Sequence, residues 1–316
     1  MSMRTPPGAH IRSILLMEVA SELIGHREWP AYQARLHLRK QGSTNPWLYC
    51  LYASDTPSVF DEVVNRDVHI AMLNPAEPLA MAVRGTGPFA EPLPLRTITT
   101  IPSDDRFAFA VAERTGLTSF ADIREQRYPL KVSMREYPDA SAYMMVDQVF
   151  RAAGFTMDDI VSWGGSVHRH PGLNVDMSRV DSGEVDTHFE EATNRWLGTA
   201  LEGGMRLLPL DESIMSKIEP IGLRSAYLRR DDHPQLPEDV LTLDYSGWPI
   251  FTRTDTPDDF VRSFCEALEA RKDRIPWDRG WSLPLERMCK DGPDTPLTAP
   301  LHPAAEAFWS ERGYLP

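Results

Sequence analysis

The chain has 316 residues, of which 42% are hydrophobic and 25% are charged, and its formal net charge at pH 7 is −13. This length suffices for two lobes, each with its own core, and two lobes imply a cleft between them. Nucleic acid is not expected as a partner, because phosphate binding needs a basic face and the chain has no run of Lys or Arg. The composition therefore favours a small molecule as the partner.

The amino-terminal sequence contains one short apolar run, Ile14–Met17, which Glu18 interrupts before the hydrophobic region of a signal peptide is complete. No stretch approaches the roughly 20 apolar residues that a membrane-spanning helix needs. We therefore expect a cytoplasmic protein as the sequence is written, or a periplasmic one only if a leader was removed. No insertion into a membrane is expected.

The three cysteines, Cys50, Cys265 and Cys289, are far apart and lack CxxC spacing. They predict neither a zinc knuckle nor a disulfide framework, and reduced thiols in the core are the simplest interpretation. No cofactor is expected.

The first third of the chain offers two candidate sites. Apolar residues at helical spacing predict a helix over 11–25 that packs on a sheet. Ser58 then opens a short helix after a loop rich in hydroxyl groups, where unpaired backbone N–H groups could bind an anion. Farther on, Asn74 and Glu77 follow the predicted strand 68–73, and ligands collect beyond the carboxyl ends of strands in open α/β sheets. A purely structural Asn-Pro turn explains Asn74 equally well.

The segment 129–160 comes closest to indicating a function, because it predicts a strand followed directly by a helix. Such a helix start favours a carboxylate or a phosphate. Arg135 lies between the strand and the helix, so its guanidinium and the helix N–H groups could hold the same carboxylate. The simpler alternative is that Asp139 or Ser141 only caps the helix and that Arg135 pairs with Glu136 or Asp139.

A pair of histidines at HxH spacing follows the predicted strand 160–163. His168 and His170 invite a metal interpretation, because imidazole with carboxylate suits zinc or iron. The distant further ligands would be His188, Glu190 and Glu191. Two histidines in a loop share no fixed face, however, so a solvated loop is the simpler interpretation and no metal is predicted.

The rest of the chain alternates short extended pieces with amphipathic helices. The predicted strands are 35–39, 95–101, 107–111, 187–191, 205–210, 227–230, 240–245 and 248–253, and the predicted helices are 192–201 and 257–272.

Five segments of the chain form a recognisable series. They are 67–89, 95–123, 183–189, 204–218 and 250–268. In order and spacing they resemble the TAXI-type solute receptors of TRAP transporters, which have the type II periplasmic-binding-protein fold. The family's Ser-x-x-Asn motif corresponds to 58–61, and its Gly-Ser-Gly-Thr loop corresponds to 139–142. Only Ser58 and Ser141 are carried over as site residues.

The resemblance and the strand–helix order together predict an α/β fold with two lobes and a ligand cleft between them. Lobe 1 comprises 1–110 and 237–316, lobe 2 comprises 111–236, and extended crossings lie near Ala110 and Leu236. The chain departs from the family at its start, where only 1–8 precede the first helix, so the first strand is shortened or missing.

The resemblance implies a non-catalytic protein that closes on a small carboxylate and allows a homodimer. The expected ligand-binding residues are Ser58, Asn74, Arg106, Arg135 and Ser141. Despite the net charge of −13, at least one arginine and helix N-termini should hold this anion.

The alternative is a cytoplasmic enzyme on the same scaffold, since the fold also resembles that of the dihydroxyphthalate decarboxylases. Such a carboxy-lyase needs a cation that orients the departing carboxylate, for which Arg135 or Arg106 is expected. It also needs a proton donor for the carbanion, for which His188 or Glu190 is expected.

Overall fold

A computed structural model describes residues 11–26, 33–39, 48–54, 56–135, 140–170, 172–275 and 282–315. The predicted partners Glu136 and Asp139 lie outside these ranges. Among the described residues, no helix combines the length and the apolar character that crossing a membrane requires.

The described elements alternate between helices and strands. The helices are α1 Ile11–His26, α2 Val59–Val64, α3 Glu77–Arg84, α4 Phe120–Gln126, α5 Ser141–Ala153, α6 Met157–Ser162, α7 Met177–Asp181, α8 Thr193–Glu202, α9 Glu212–Ile218, α10 Asp258–Arg271, α11 Leu285–Met288 and α12 Pro303–Glu311. The strands are β1 Ala34–Leu38, β2 Tyr49–Ala53, β3 Ile70–Met72, β4 Leu95–Ile101, β5 Arg106–Ala112, β6 Lys131–Arg135, β7 Ser166–His170, β8 Thr187–Glu190, β9 Met205–Leu207, β10 Ser225–Leu228, β11 Val240–Asp244 and β12 Trp248–Arg253.

These strands form two main sheets. The first has the order β1-β2-β3-β12-β4, in which only β2 and β3 pair in parallel. The second has the order β10-β11-β5-β8, with β9 also paired to β5. The parallel pair β6–β7 adjoins β8, because Asp186 N–H donates to Lys131 O at 2.8 Å. The predicted α/β class with two separate sheets is confirmed.

The chain passes between the two sheets twice, through 101–106 and through 244–248. These two crossings contact each other, because Gly247 N–H donates to Ser103 O at 3.0 Å. The division at 110 and 236 stays a prediction of lobe boundaries. The crossings bring residues from both sheets to one junction, which makes this junction the natural place for a site.

Helix α3 contacts both sheets. It leaves the first sheet after β3, yet its Met81 belongs to the core of the second sheet. The turn before β10 packs directly on α3, since a Cβ at Gly222, whose φ is +116°, would approach Ala80 Cβ to 3.0 Å. Thr86 Oγ1 donates to Ile221 O at 2.5 Å. This junction is therefore closely packed.

Two expectations about local structure are wrong. Residues 160–163 are not a strand, because α6 extends to Ser162 and Trp163 is its C-cap. The helix begins at a capping box between Thr156 and Asp159. The strand is β7, so His168 and His170 lie in a strand and not in a loop. Helix α1 forms as predicted but does not bury an apolar face on a sheet, since Leu15 and Leu16 are 58% and 66% exposed.

Candidate functional site

A buried group of charged and polar side chains, termed here the inner cluster, comprises Asn74, Arg135, Glu190 and Glu191. Arg135 Nε lies 3.2 Å from Glu190 Oε2, and Arg135 Nη2 lies 2.7 Å from Glu190 Oε1. Arg135 Nη2 also donates to Glu191. The Arg135 side chain is only 17% exposed, and both glutamates are buried. Two carboxylates thus occupy the guanidinium fork.

The sequence produces this cluster through adjacent strand ends. Strands β6 and β8 lie side by side, as shown by the hydrogen bond of 2.9 Å from Ser133 N–H to Thr187 Oγ1. Their last residues, Arg135 and Glu190, therefore meet at one edge. Asn74 follows strand β3 of the first sheet, and a cis peptide bond joins it to Pro75. Its Nδ2 donates to Glu191 Oε2 at 3.2 Å. This hydrogen bond joins the two sheets.

Burial in the inner cluster opposes the ionisation of its carboxyl groups. Burial raises the pKa of Glu190 and of Glu191, although the neighbouring Arg135 opposes the change. Few water molecules can reach these groups, so their ionised state depends on the ion pair with Arg135. The cluster stabilises the junction, and Glu190 and Glu191 engage Nε and Nη2 of Arg135.

Asp105 lies next to the inner cluster, in the first crossing. Ala192 N–H, just before α8, lies 3.1 Å from both of its carboxylate oxygens, and Arg106 N–H donates to Oδ1 at 2.8 Å. Burial and the nearby charge of Glu191 raise the pKa of Asp105 to about 7. Ala192 has a φ of +53°, a left-handed conformation that is strained for a residue with a Cβ. A strained backbone and a shifted carboxyl pKa are both typical of functional sites.

A cavity of about 870 Å³, termed the crossing cavity, opens beside the two crossings. It is lined by residues of the first crossing, the first turn of α8, strand β10 and the end of β11. The charged residues in its lining are Asp104, Asp105, Arg106, Arg195, Arg224, Arg229, Asp232 and Asp244. Its volume falls in the range of small-molecule sites.

Two arginines of the crossing cavity, Arg195 and Arg224, have fewer partners than Arg106, whose Nη1 lies within 3.1 Å of four oxygen atoms. Asp244 Oδ1 lies 3.1 Å from Arg106 Nη1, and Asp244 Oδ2 lies 3.3 Å from Arg224 Nη2. The two guanidinium groups thus share one carboxylate, which also accepts a hydrogen bond of 2.5 Å from Ser246 Oγ. Within the described part of the chain, Arg224 Nη1 is buried without a partner and Arg195 forms no ion pair. The cavity therefore retains guanidinium donors that a ligand could use.

The structure brings some of the predicted site residues together and separates others. Asn74, Arg135 and Glu190 meet in the inner cluster, and Arg106 lines the crossing cavity. Ser58 precedes α2, with its Oγ 2.7 Å from Thr56 Oγ1, and Ser141 is buried in the first turn of α5. Neither serine lines the crossing cavity, and the roles of all these residues in ligand binding stay predictions.

His188, the other predicted catalytic residue, is 2% exposed. Its ring packs 5.1 Å from that of His170 and 4.6 Å from that of Trp196, and its Nε2 lies 3.0 Å from Leu173 O. Burial, with a smaller contribution from His170, lowers the pKa of His188 to about 3, so the ring is neutral at pH 7. Among the described residues, no group of three or more metal-ligating side chains could hold a metal ion. The catalytic roles of His188 and Glu190 stay predictions.

Sequence reasoning missed Arg195, Arg224 and Asp244 as site residues. Each lies near a strand end or a helix start, but so do many charged residues, and their convergence depends on how the two crossings pack. Asp105 carried one usable signal, since the run Asp104-Asp105-Arg106 places three charges in a predicted turn between strands.

The fold and the junction define an α/β protein with two sheets joined by two crossings and with a polar cavity beside them. No family model matches the chain, and no curated protein matches it. The chain is similar to several solved structures, three of which were solved with a small molecule bound.

One of these structures is the alkanesulfonate-binding protein SsuA from Xanthomonas axonopodis pv. citri bound to MOPS, with 12% identity and a TM-score of 0.36. The alignment covers 70% of this chain and 61% of that protein, so this chain spans less than two thirds of its length. Another is PhnD1 from Prochlorococcus marinus in complex with methylphosphonate, with 9% identity, coverage of 82% and 84%, and a TM-score of 0.40.

A third is lactococcal OpuAC complexed with glycine betaine, with 10% identity, coverage of 82% of each chain and a TM-score of 0.36. Since all of these TM-scores are below 0.5, the function is inferred below from the residues of the site itself. Membership of the TAXI-type receptors stays a prediction.

Proposed function

We propose that this protein binds a small organic anion, a carboxylate, in the crossing cavity. The observation that carries this proposal is Arg224, which lines a cavity of about 870 Å³ and has a buried terminal nitrogen, Nη1, without a partner among the described residues. A buried guanidinium donor without an acceptor costs free energy, and a carboxylate ligand would supply the acceptor.

Arg195 strengthens the proposal. It lies in the first turn of α8, a helix of ten residues, and it lines the crossing cavity together with Thr193 and Asn194. The start of a helix carries a partial positive charge, which adds to the charge of Arg195. An anion in the cavity would therefore meet two guanidinium groups and a helix N-terminus.

The net charge of −13 does not prevent this binding. At physiological salt, charges are screened over about 8 Å, so distant acidic residues contribute little. A charge-assisted hydrogen bond inside a cavity acts at contact distance and is screened much less. The cavity lining itself holds four arginines and four aspartates, so the incompletely paired arginines decide where in the cavity an anion can bind.

The proposal is tested by calorimetric titration of the protein with a panel of aliphatic and aromatic carboxylic acids. We expect at least one acid to bind, and the variant Arg195→Met to weaken that binding by about tenfold, as loss of a charge-assisted hydrogen bond predicts. Arg262→Met is the matched control, because Arg262 is an exposed helix residue that pairs with Glu311 away from the cavity. A failure of every acid to bind would refute the proposal, as would equal affinities in all three proteins.

A second candidate function, decarboxylation, is favoured by Asp105. This residue lines the same cavity, and its pKa of about 7 suits a group that gives up a proton at neutral pH. In this reaction the bond from the carboxylate carbon breaks, carbon dioxide leaves, and the resulting carbanion takes a proton from Asp105. Release of carbon dioxide from an acid that binds, abolished in Asp105→Asn while binding persists, would establish the enzyme.

A further inference from the structure

A second cavity, of about 330 Å³, lies next to the crossing cavity. Arg224 lines both of them. The second cavity is otherwise lined by the exposed end of α3 and the turn before β10, and includes Ala80, Leu223 and Thr298. Arg224 and Ser225 therefore border both the larger and the smaller cavity, and the smaller one is also lined by Arg84 and Glu219.

Arg224 is only loosely held in this position. Its contact with Asp244 Oδ2 is 3.3 Å long, whereas strong pairs of guanidinium and carboxylate measure about 2.7–2.9 Å. Its other terminal nitrogen, Nη1, has no partner among the described residues, and its side chain is 35% exposed. A rotation of this side chain would therefore break one weak contact.

Glu77 is a buried carboxyl group close enough to Arg224 for their charges to interact. Its side chain is fully buried, and neither carboxylate oxygen accepts a hydrogen bond from a described residue. It lies on α3 three residues before Ala80, so both residues share the face of α3 that adjoins the second cavity. The charged groups that act on Glu77 are Asp244, Arg224 and Arg106.

We propose that Arg224 determines the length of the ligand, and this inference rests on the proposed function. With a short acid, Arg224 stays beside Asp244 and closes the crossing cavity. With a longer acid, Arg224 turns to Glu77, and the far end of the ligand enters the second cavity.

This rotation should change the protonation of Glu77, and the change can be measured. Burial and the neighbouring Asp244 raise the pKa of Glu77 well above its ordinary value, which favours the protonated form of this carboxyl group. Pairing with Arg224 favours its ionised form, so Glu77 releases its proton to the solvent. Binding of a long acid should therefore release a proton that binding of a short acid does not.

The test uses four straight-chain dicarboxylates of increasing length, namely succinate, adipate, suberate and sebacate, titrated by calorimetry in buffers of different ionisation enthalpy. In the wild type we expect affinity to fall with length and sebacate alone to release a proton. In Arg224→Ala we expect succinate to bind about tenfold more weakly and sebacate to become the preferred acid. In Glu77→Gln we expect succinate binding to be unchanged and proton release to vanish.

Arg229→Ala is the matched control, because Arg229 lines the crossing cavity but not the second cavity. It should keep the wild-type order of the four acids. Circular dichroism and thermal melting establish that each variant is folded. If Arg224→Ala keeps the wild-type order, or if none of the four acids binds the wild type, the length inference is refuted. The proposed function itself fails only if no carboxylate of the whole panel binds.

Discussion

The inner cluster and the crossing cavity use the same side chains for opposite purposes. In the inner cluster, one guanidinium faces two buried carboxylates, Glu190 and Glu191. In the crossing cavity, two guanidinium groups share the single carboxylate of Asp244, and one nitrogen of Arg224 is left without a partner. The first arrangement thus has an excess of carboxylates over guanidinium groups, and the second has the opposite excess.

This difference indicates which buried charged residues are candidates for binding a ligand. Desolvation makes an unpaired buried charge costly, so a protein satisfies such groups internally unless a ligand completes them. Arg135, which faces two carboxylates, is therefore expected to stabilise the fold, and its role in ligand binding stays a prediction. The incompletely paired Arg224 is the better candidate for binding.

The largest expected effect comes from removing the arginine of the inner cluster. Arg135→Met leaves Glu190 and Glu191 buried without a counter-charge, which should lower the free energy of unfolding by about 3–5 kcal/mol. The loss should be greater at pH 8 than at pH 5, because protonation at lower pH neutralises the two glutamates. Urea denaturation at both pH values measures it.

The matched control for Arg135→Met is Arg229→Met, since Arg229 forms an exposed pair with Asp239. If the two variants are equally stable, the inner cluster does not hold the junction together. Our comparison of the two regions would then fail.

The next largest effect concerns pH and Asp105. Because the folded pKa of about 7 exceeds the unfolded value, the neutral form stabilises the fold, and this contribution is present at low pH and lost as the pH rises to about 7. Wild-type stability relative to Asp105→Asn should therefore fall by about 2–3 kcal/mol between about pH 5 and pH 8. Urea denaturation across this range tests it, and a constant difference would show that Asp105 ionises normally.

A smaller effect is expected for the hydrogen bond between the sheets. Asn74→Ala removes the donor to Glu191 Oε2 and should cost about 1–2 kcal/mol of unfolding free energy. Asn65→Ala serves as the control, because Asn65 lies at the exposed end of α2. Equal stability of the two variants would show that the Asn74 contact contributes nothing to the junction.

The smallest effect is expected at the rim of the crossing cavity. Arg229→Met breaks a pair with Asp239 in which the two side chains are 57% and 40% exposed, so solvent screens the charges. The melting temperature should stay within experimental error of the wild type. A clear decrease would show that the rim is part of the fold and not a free surface.

The sequence by itself determined most of the elements. The extended run 95–101 predicted β4 to its last residue, and the amphipathic pattern over 257–272 predicted α10 closely. These patterns succeed because each strand or helix must bury one face, and the residues of that face lie close together in the sequence. Where a local signal was overlooked, the prediction failed, as at the capping box that begins α6.

The candidate site was predicted only in part. Asn74, Arg106 and Arg135 were chosen because they follow strands or lie between elements, and all three lie at the junction. The sequence could not show that Arg135 would be neutralised by Glu190 and Glu191, which follow it by more than fifty residues.

The tertiary structure alone decided which charges are paired. Arg224 and Asp244 come together because β10 pairs with β11, and Arg106 joins them because β11 also pairs with β5. A guanidinium left with an unused donor is a property of that packing, since the number of its partners depends on distances between elements and not on the order of residues.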